Sequence, residues 1–344
     1  TMTFKLSFEY MFSFKANLLI GFLCLVYNSS FSQNISISDS LESVYRVGAY
    51  DINTLKELST NHPDPQKKLQ YSSELIQKAK LLDSSEFLFI GFLQKGQALR
   101  LKSDFPQALE SLFEAVEIAN KTKNIKDLGL VNISIADAYS EMNNHQNAVS
   151  YYENGIDLLK KAGDSLNLAN GLSNLGDDYF KNKEYDLAME HFMEASVIFH
   201  KLNSQEGEAI ILGNMGMVYA EQGKDNLAEA NINEAIRLME SLDSYYAISV
   251  FLTYMSDIYL NKNDWKSAFN YSKRSLDLAT KYGLKEQISQ ANLQISRLFE
   301  KSGSFKEALT YFKKYQVYKD SIANIEKVQQ IADLRTDFEI SKKQ

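Results

Sequence analysis

The chain has 344 residues, 44% of them apolar and 24% charged, and a formal net charge of −7. Nucleic-acid binders usually carry a basic face, so this balance argues against that class. Three prolines among many Leu, Ile, Tyr and Phe suit an all-helical protein, and a single cysteine excludes a disulfide framework.

Residues 1–32 read as a targeting segment. Thr1 is not a natural start, and Met2 and Met11 are the two candidate starts. From Met11 the order is a short segment with Lys15, an apolar run over Leu18–Tyr27, and the small-residue site Ser29-Ser30-Phe31-Ser32. That order is a signal peptide, with cleavage expected after Ser32 and Gln33 as the new first residue. The run is short of the ~20 residues a bilayer span needs, which weighs against a retained anchor. A lipoprotein would acylate Cys24, but bulky Leu23 stands where a small residue is wanted.

Residues 33–83 read as a degenerate pair of capping helices. Asn34–Ser40 is polar and is expected to be flexible, and Leu41–Ser59 to form one or two short helices. Pro63 and Pro65 mark a turn, with Pro65 suited to the first turn of the next helix. Lys67–Leu82 then aligns forty residues before a helix over 107–122.

Residues 84–320 repeat every forty residues, six times. Gly176 recurs as Gly96, Ala136, Gly216, Ser256 and Ser296. Tyr179 recurs as Leu99, Tyr139, Tyr219, Tyr259 and Phe299. Ala188 recurs as Ala108, Ala148, Ala228, Ala268 and Ala308. Each repeat reads as two helices: first helices near 85–102, 125–142, 165–182, 205–222, 245–262 and 285–302, and second helices from about 105, 145, 185, 225, 265 and 305. At about 100° per residue, Leu172, Leu175, Tyr179 and Phe180 share one stripe with Gly176, and Leu187 and Phe192 flank Ala188. One hairpin cannot bury such a stripe, but stacked hairpins make a continuous core. Asp104, Asp264 and Ser304 are placed as N-caps, and Gly163 and Gly303 stand where helix ends want a left-handed residue.

The last helix is expected to pack through Leu309, Phe312 and Tyr315 and to run on through residues 321–344 as an extended C-terminal helix. Ile322, Ile325, Val328, Ile331, Leu334 and Phe338 make an apolar stripe there with imperfect heptad spacing. The stripe either caps the open end of the stack or mediates a weak homodimer.

Chemistry-bearing motifs are scarce. His62, His145, His191 and His200 are scattered, and the last two lie nine apart, not at the i, i+4 spacing of a metal pair. No phosphate loop, nucleophile elbow or zinc motif stands in the chain. No catalytic residue, metal or cofactor is therefore assigned.

The ladder of small residue, aromatic and alanines resembles the tetratricopeptide repeat, over roughly Ser84 to Asp320, with a forty-residue period in place of the commoner 34. The resemblance implies a right-handed α-solenoid of helix hairpins whose first helices line a concave, ligand-binding face. Carried onto this sequence, that face holds Gln97, Asp137, Asn174, Asp177, Asn214, Met217, Asp257 and Arg297. Asn174 and Asn214 share an Asn-apolar-Gly-x-x-Tyr context, where relatives use an asparagine to hold a peptide backbone; an amide both donates and accepts. Asp137, Asp177 and Asp257 form an acidic line, and the basic set of a carboxylate clamp is missing.

The implied function is a non-catalytic scaffold that binds a peptide or protein in the concave groove. The layout also resembles the extracytoplasmic sensor part of bacterial signalling proteins, especially those of the Bacteroidetes. That likeness implies a periplasmic sensor, with a membrane-linked output domain beyond Gln344. A free-standing periplasmic assembly scaffold and an intracellular peptide-responsive regulator are the other readings.

Overall fold

In a computed structural model, the structure describes residues 31–48, 50–242 and 244–322. Residues 1–30 of the expected signal peptide and the stripe beyond Ile322 lie outside the described residues. Within them the chain is a succession of helices and turns, without strands. It opens with α1 (Phe31–Arg46), α2 (Ile52–Asn61) and α3 (Pro65–Leu81). The first helices of the regular repeats are α4 (Ser85–Leu101), α6 (Ile125–Glu141), α8 (Ser165–Lys181), α10 (Gln205–Glu221), α12 (Tyr245–Asn261) and α14 (Lys285–Lys301). Their partners are α5 (Phe105–Thr122), α7 (His145–Ala162), α9 (Tyr185–Lys201), α11 (Asp225–Ser241), α13 (Trp265–Lys281) and α15 (Phe305–Ile322).

A twenty-residue rhythm sets the turns. Asp83, Ser103, Lys123, Asn143, Gly163, Lys183, Asn203, Gly223, Asn263, Gly283 and Gly303 all have positive φ. One left-handed residue ends each helix there, and the next residue opens the following one. Asp104, Asn144, Asp164 and Asp264 each accept a backbone N–H from three residues on, satisfying an orphan donor of the new helix.

The small-residue and alanine ladders meet inside each hairpin. A Cβ added at Gly176 would lie 2.7 Å from the Phe192 ring and 3.2 Å from the Ala188 carbonyl oxygen. Where serine takes the place, its hydroxyl donates to that same carbonyl: Ser256 Oγ to Ala268 O at 2.8 Å and Ser296 Oγ to Ala308 O at 2.7 Å. Ala188, Phe192, Ala195 and Phe199 are buried in a core shared with α8 and α10.

The backbone of each first helix also approaches the first helices of the repeats before and after it, whereas the backbones of second helices stand apart and meet only through long side chains, as where Arg274 of α13 pairs with Glu240 of α11. The first helices therefore line the inner side of the curve and the second helices its outside. This is the tetratricopeptide-like solenoid, with α2–α3 as a seventh, shorter hairpin at its start.

Three expectations need correction. Asn34–Ser40 lies within helix α1 and is not a flexible lead-in. The helix is tied down by buried Glu42, which meets His62 Nε2 at 3.0 Å and accepts from Lys67 Nζ at 2.6 Å and Tyr71 Oη at 2.9 Å. Leu187 is exposed beside buried Ala188. Leu309 and Phe312 point outward, with Leu309 54% exposed; α15 packs instead through Ala308, Tyr311 and Tyr315. The alanine ladder fixes this register, because Ala308 must sit against Ser296, and that turns Leu309 away.

Candidate functional site

The inner face is a polar seam. Gln97 Nε2 donates to Ser134 Oγ at 3.0 Å, joining α4 to α6. Asn174 Nδ2 donates to Asp137 Oδ1 at 3.0 Å, joining α8 to α6. Asn214 Nδ2 donates to Asp177 Oδ1 at 2.9 Å, joining α10 to α8. Gln294 Nε2 donates to Asp257 Oδ1 at 2.5 Å, joining α14 to α12. Each bond spans 37 residues, one period less one helical turn. Between α10 and α12 the places fall to Met217 and Tyr254, and no hydrogen bond joins them.

The eight residues of the expected groove thus lie along one inner face, but not as a solvated surface. Gln97, Asp137, Asn174, Asp177, Asn214 and Met217 are buried, and Asp257 and Arg297 are half-buried. The reason is the close approach of neighbouring first helices, which bury this face between them. Asn174 and Asn214 spend an amide donor on the preceding repeat. Two amide oxygens at equivalent places, Gln94 Oε1 and Asn214 Oδ1, are buried without a hydrogen-bond partner.

Electrostatics follow from burial. Burial pushes the Asp177 carboxyl well above the usual range; Lys181 opposes the shift, and Asp178 and Asp137 add to it. Asp137 is raised by burial, against Arg100 and the bonds from Tyr152 and Asn174. Asp257 is raised by burial, against the Gln294 bond and Arg297. Glu141, paired with Arg100, is raised by burial too.

The curve is tight enough for distant repeats to face each other. Phe180 of α8 and Tyr254 of α12 approach to 6.4 Å between ring centroids. Glu286, in the first turn of α14, is pushed up to about 8 by burial and by Glu141 at the far end of α6, with Lys181 opposing. Arg100 and Glu286 escaped sequence reasoning. Arg100 sits one turn past Gln97 in a place the other repeats do not mark, and only the superhelical turn brings Glu286 to Glu141.

Outside the seam, His145 sits between Asp178 and Glu184, with its Nε2 3.0 Å from Glu184 Oε1, and packs edge-on against Tyr179. Among the described residues no group of three or more His, Cys, Asp or Glu is arranged to hold a metal, and no helix is long and apolar enough to cross a membrane.

A tetratricopeptide-repeat family model matches residues 167–241, and a second one matches residues 131–158. The model of anaphase-promoting complex subunit 5 matches residues 250–315. No curated protein matches the chain. Among solved structures, a Rap protein complexed with competence and sporulation factor is similar over 87% of this chain and 82% of its own, with 14% identity and a TM-score of 0.66. The Rap conjugation gene regulator of plasmid pLS20, in complex with the Phr* peptide, is similar over 73% of this chain and 78% of its own (17% identity, TM-score 0.55). The Cut9–Hcn1 hetero-tetramer of the APC/C is similar over 86% of this chain and 52% of its own (13% identity, TM-score 0.60). At these identities the likeness is one of fold.

Proposed function

The chain carries tetratricopeptide repeats, and on that premise we propose that it is a non-catalytic scaffold that binds an extended peptide, free or as a segment of a protein, along its inner face. One observation carries the reading: Gln94 and Asn214, at the same place in two repeats, hold buried amide oxygens without a donor. A side chain kept only for packing has no use for such an acceptor, because a buried unmade hydrogen bond costs about 1–3 kcal/mol. The backbone N–H groups of an extended peptide are donors of the right kind. The Rap relatives bound to competence and sporulation factor and to the Phr* peptide support the same reading by analogy of fold.

Selection of a random displayed peptide library against the full chain tests it. Peptides that bind the wild type should weaken about fivefold to a hundredfold on Gln94→Ala with Asn214→Ala, since each hydrogen bond contributes ~0.5–1.5 kcal/mol. Selected peptides indifferent to both changes, or no selected peptides at all, would remove the inner face as the site.

The finer reading is an exported sensor, the ligand-reading part of a signal-transduction protein. It rests on the n-region, apolar run and small-residue site of residues 1–32. Mass spectrometry of the chain expressed in its source cell should find Gln33 as the first residue of a protein outside the cytoplasm. A retained residue 1–32 segment on a cytoplasmic protein would leave the peptide-binding scaffold and remove the export.

A further inference from the structure

Asp177, Asn214, Phe180, Tyr185, Glu221 and Tyr254 converge on one part of the inner face. Asp177 is 2% exposed and Asn214 fully buried. The Asn214 amide donates to one carboxylate oxygen of Asp177, and its own oxygen faces no donor. Phe180 lies 5.7 Å from Tyr185 and 6.4 Å from Tyr254, ring centroid to centroid. Tyr185 Oη donates to Glu221 Oε2 at 3.3 Å. The Tyr254 hydroxyl is raised by burial, and Glu221, Asp257 and Asp177 raise it further.

The chemistry of this set points one way. Apart from the two tyrosine hydroxyls and the Asn214 N–H already given to Asp177, its polar groups are acceptors: the Asp177 carboxyl, the Glu221 carboxylate beyond Tyr185, and the Asn214 amide oxygen. Its remaining wall is aromatic, and ring faces attract cations. The nearby cations are shared: Lys181 acts on Asp177 through charge only, its Nζ donating to Ser140 Oγ on α6 at 3.4 Å, and Arg297 acts on Asp257. We propose that Asp177 and the Asn214 amide oxygen, beneath the Phe180–Tyr254 pair, form a subsite for one cationic side chain, lysine or arginine, of the bound peptide. Tyr254 covers the pair when the groove is empty and turns its face onto the cation when it is filled. The ammonium or guanidinium then supplies the N–H donor that Asn214 lacks, and its charge draws the proton off buried Asp177 so that the carboxylate can pair with it.

The subsite rests on the peptide-binding reading, so the test separates the two. Peptides selected on the full chain should share a lysine or arginine at one position. Replacing that residue by norleucine should weaken binding to the wild type about tenfold or more, and to Asp177→Asn less than twofold. Asp177→Asn keeps the acceptor for the Asn214 amide, and thermal melting of the variant checks the fold. Tyr254→Leu keeps bulk and loses the ring face, so it should weaken the cationic peptide and leave the norleucine peptide unchanged. Peptides that bind the inner face without a fixed cation, or that lose the same affinity in wild type and Asp177→Asn, overturn the subsite and leave the scaffold standing. A library that yields no inner-face peptide overturns both.

Discussion

Where each first helix meets its own partner, Gly176 faces Phe192 and Ser256 faces Ser272. The first pair fills the gap with a ring over a missing Cβ. The second fills it with two hydroxyls 2.6 Å apart, one of which also donates to the Ala268 carbonyl. In these two hairpins the ring lies where the residue opposite has no side chain, and the residue opposite Ser256 is small. Ser272→Phe alone should therefore overpack and destabilise by ~1–3 kcal/mol. Ser256→Gly made with it should recover most of that loss, and a double-mutant cycle by urea denaturation measures the coupling. A coupling near zero would mean the two residues do not share the gap. The sequence marks each place as small or variable, but the compensation lies sixteen residues away and shows only once the helices are docked.

At the scale of the element, helix positions were legible to within a residue or two, because a forty-residue period carries the caps with it. Gly163 and Gly303 announced their left-handed turns; Lys123, Lys183 and Ser103 did not, since position in the repeat, not residue type, imposes their φ. Helix α1 was missed because its apolar stripe is thin and its anchor is the single carboxylate of Glu42. The facing of α15 was misread because Leu309 and Phe312 are apolar, and apolar side chains at the end of a stack need not be inside. The corrected register gives a contrast. Leu309→Lys should change stability by no more than about 0.5 kcal/mol, whereas Tyr315→Ala should cost about 3–5 kcal/mol. Equal effects in chemical denaturation would restore the original register.

At the scale of the whole molecule, the acids of the inner face set a pH dependence. Asp137, Glu141, Asp177, Asp257 and Glu286 all have raised values in the folded chain. A raised acid makes the folded state hold protons that the unfolded chain releases. Its contribution is complete below the unfolded value and is lost as pH rises through the folded one. For Glu286 that window runs from 4.5 to about 8. Glu42 works the other way: held down at about 2, first by the Lys67 hydrogen bond, it stabilises above 4.5 and loses that contribution on acidification. The melting temperature should accordingly fall by about 2–4 °C or more between roughly pH 5 and pH 8.5. Glu286→Gln should flatten part of that fall, and circular-dichroism melts across the range check it. An unchanged slope in the variant would place Glu286 away from Glu141. The sequence indicated which residues share the inner face, but not that the face is buried; superhelical curvature belongs to no single repeat.

The seam of hydrogen bonds has a mechanical meaning. From α4 to α10, and again from α12 to α14, bonds from Gln97, Asn174, Asn214 and Gln294 lash successive repeats together on the inside of the coil. At the joint between α10 and α12 the lashing is replaced by grease: Met217 and Tyr254 stand in the seam, and the Phe251 ring rests against Gly213 within 1.9 Å of where a Cβ would be. Hydrogen bonds resist sliding because their geometry is narrow, whereas apolar contact tolerates it. The inner face is thus a spring with four stiff links and one soft one, and between repeats four and five the tension passes to the outer side, where Tyr259 and Lys262 hold Glu229 and Arg274 holds Glu240.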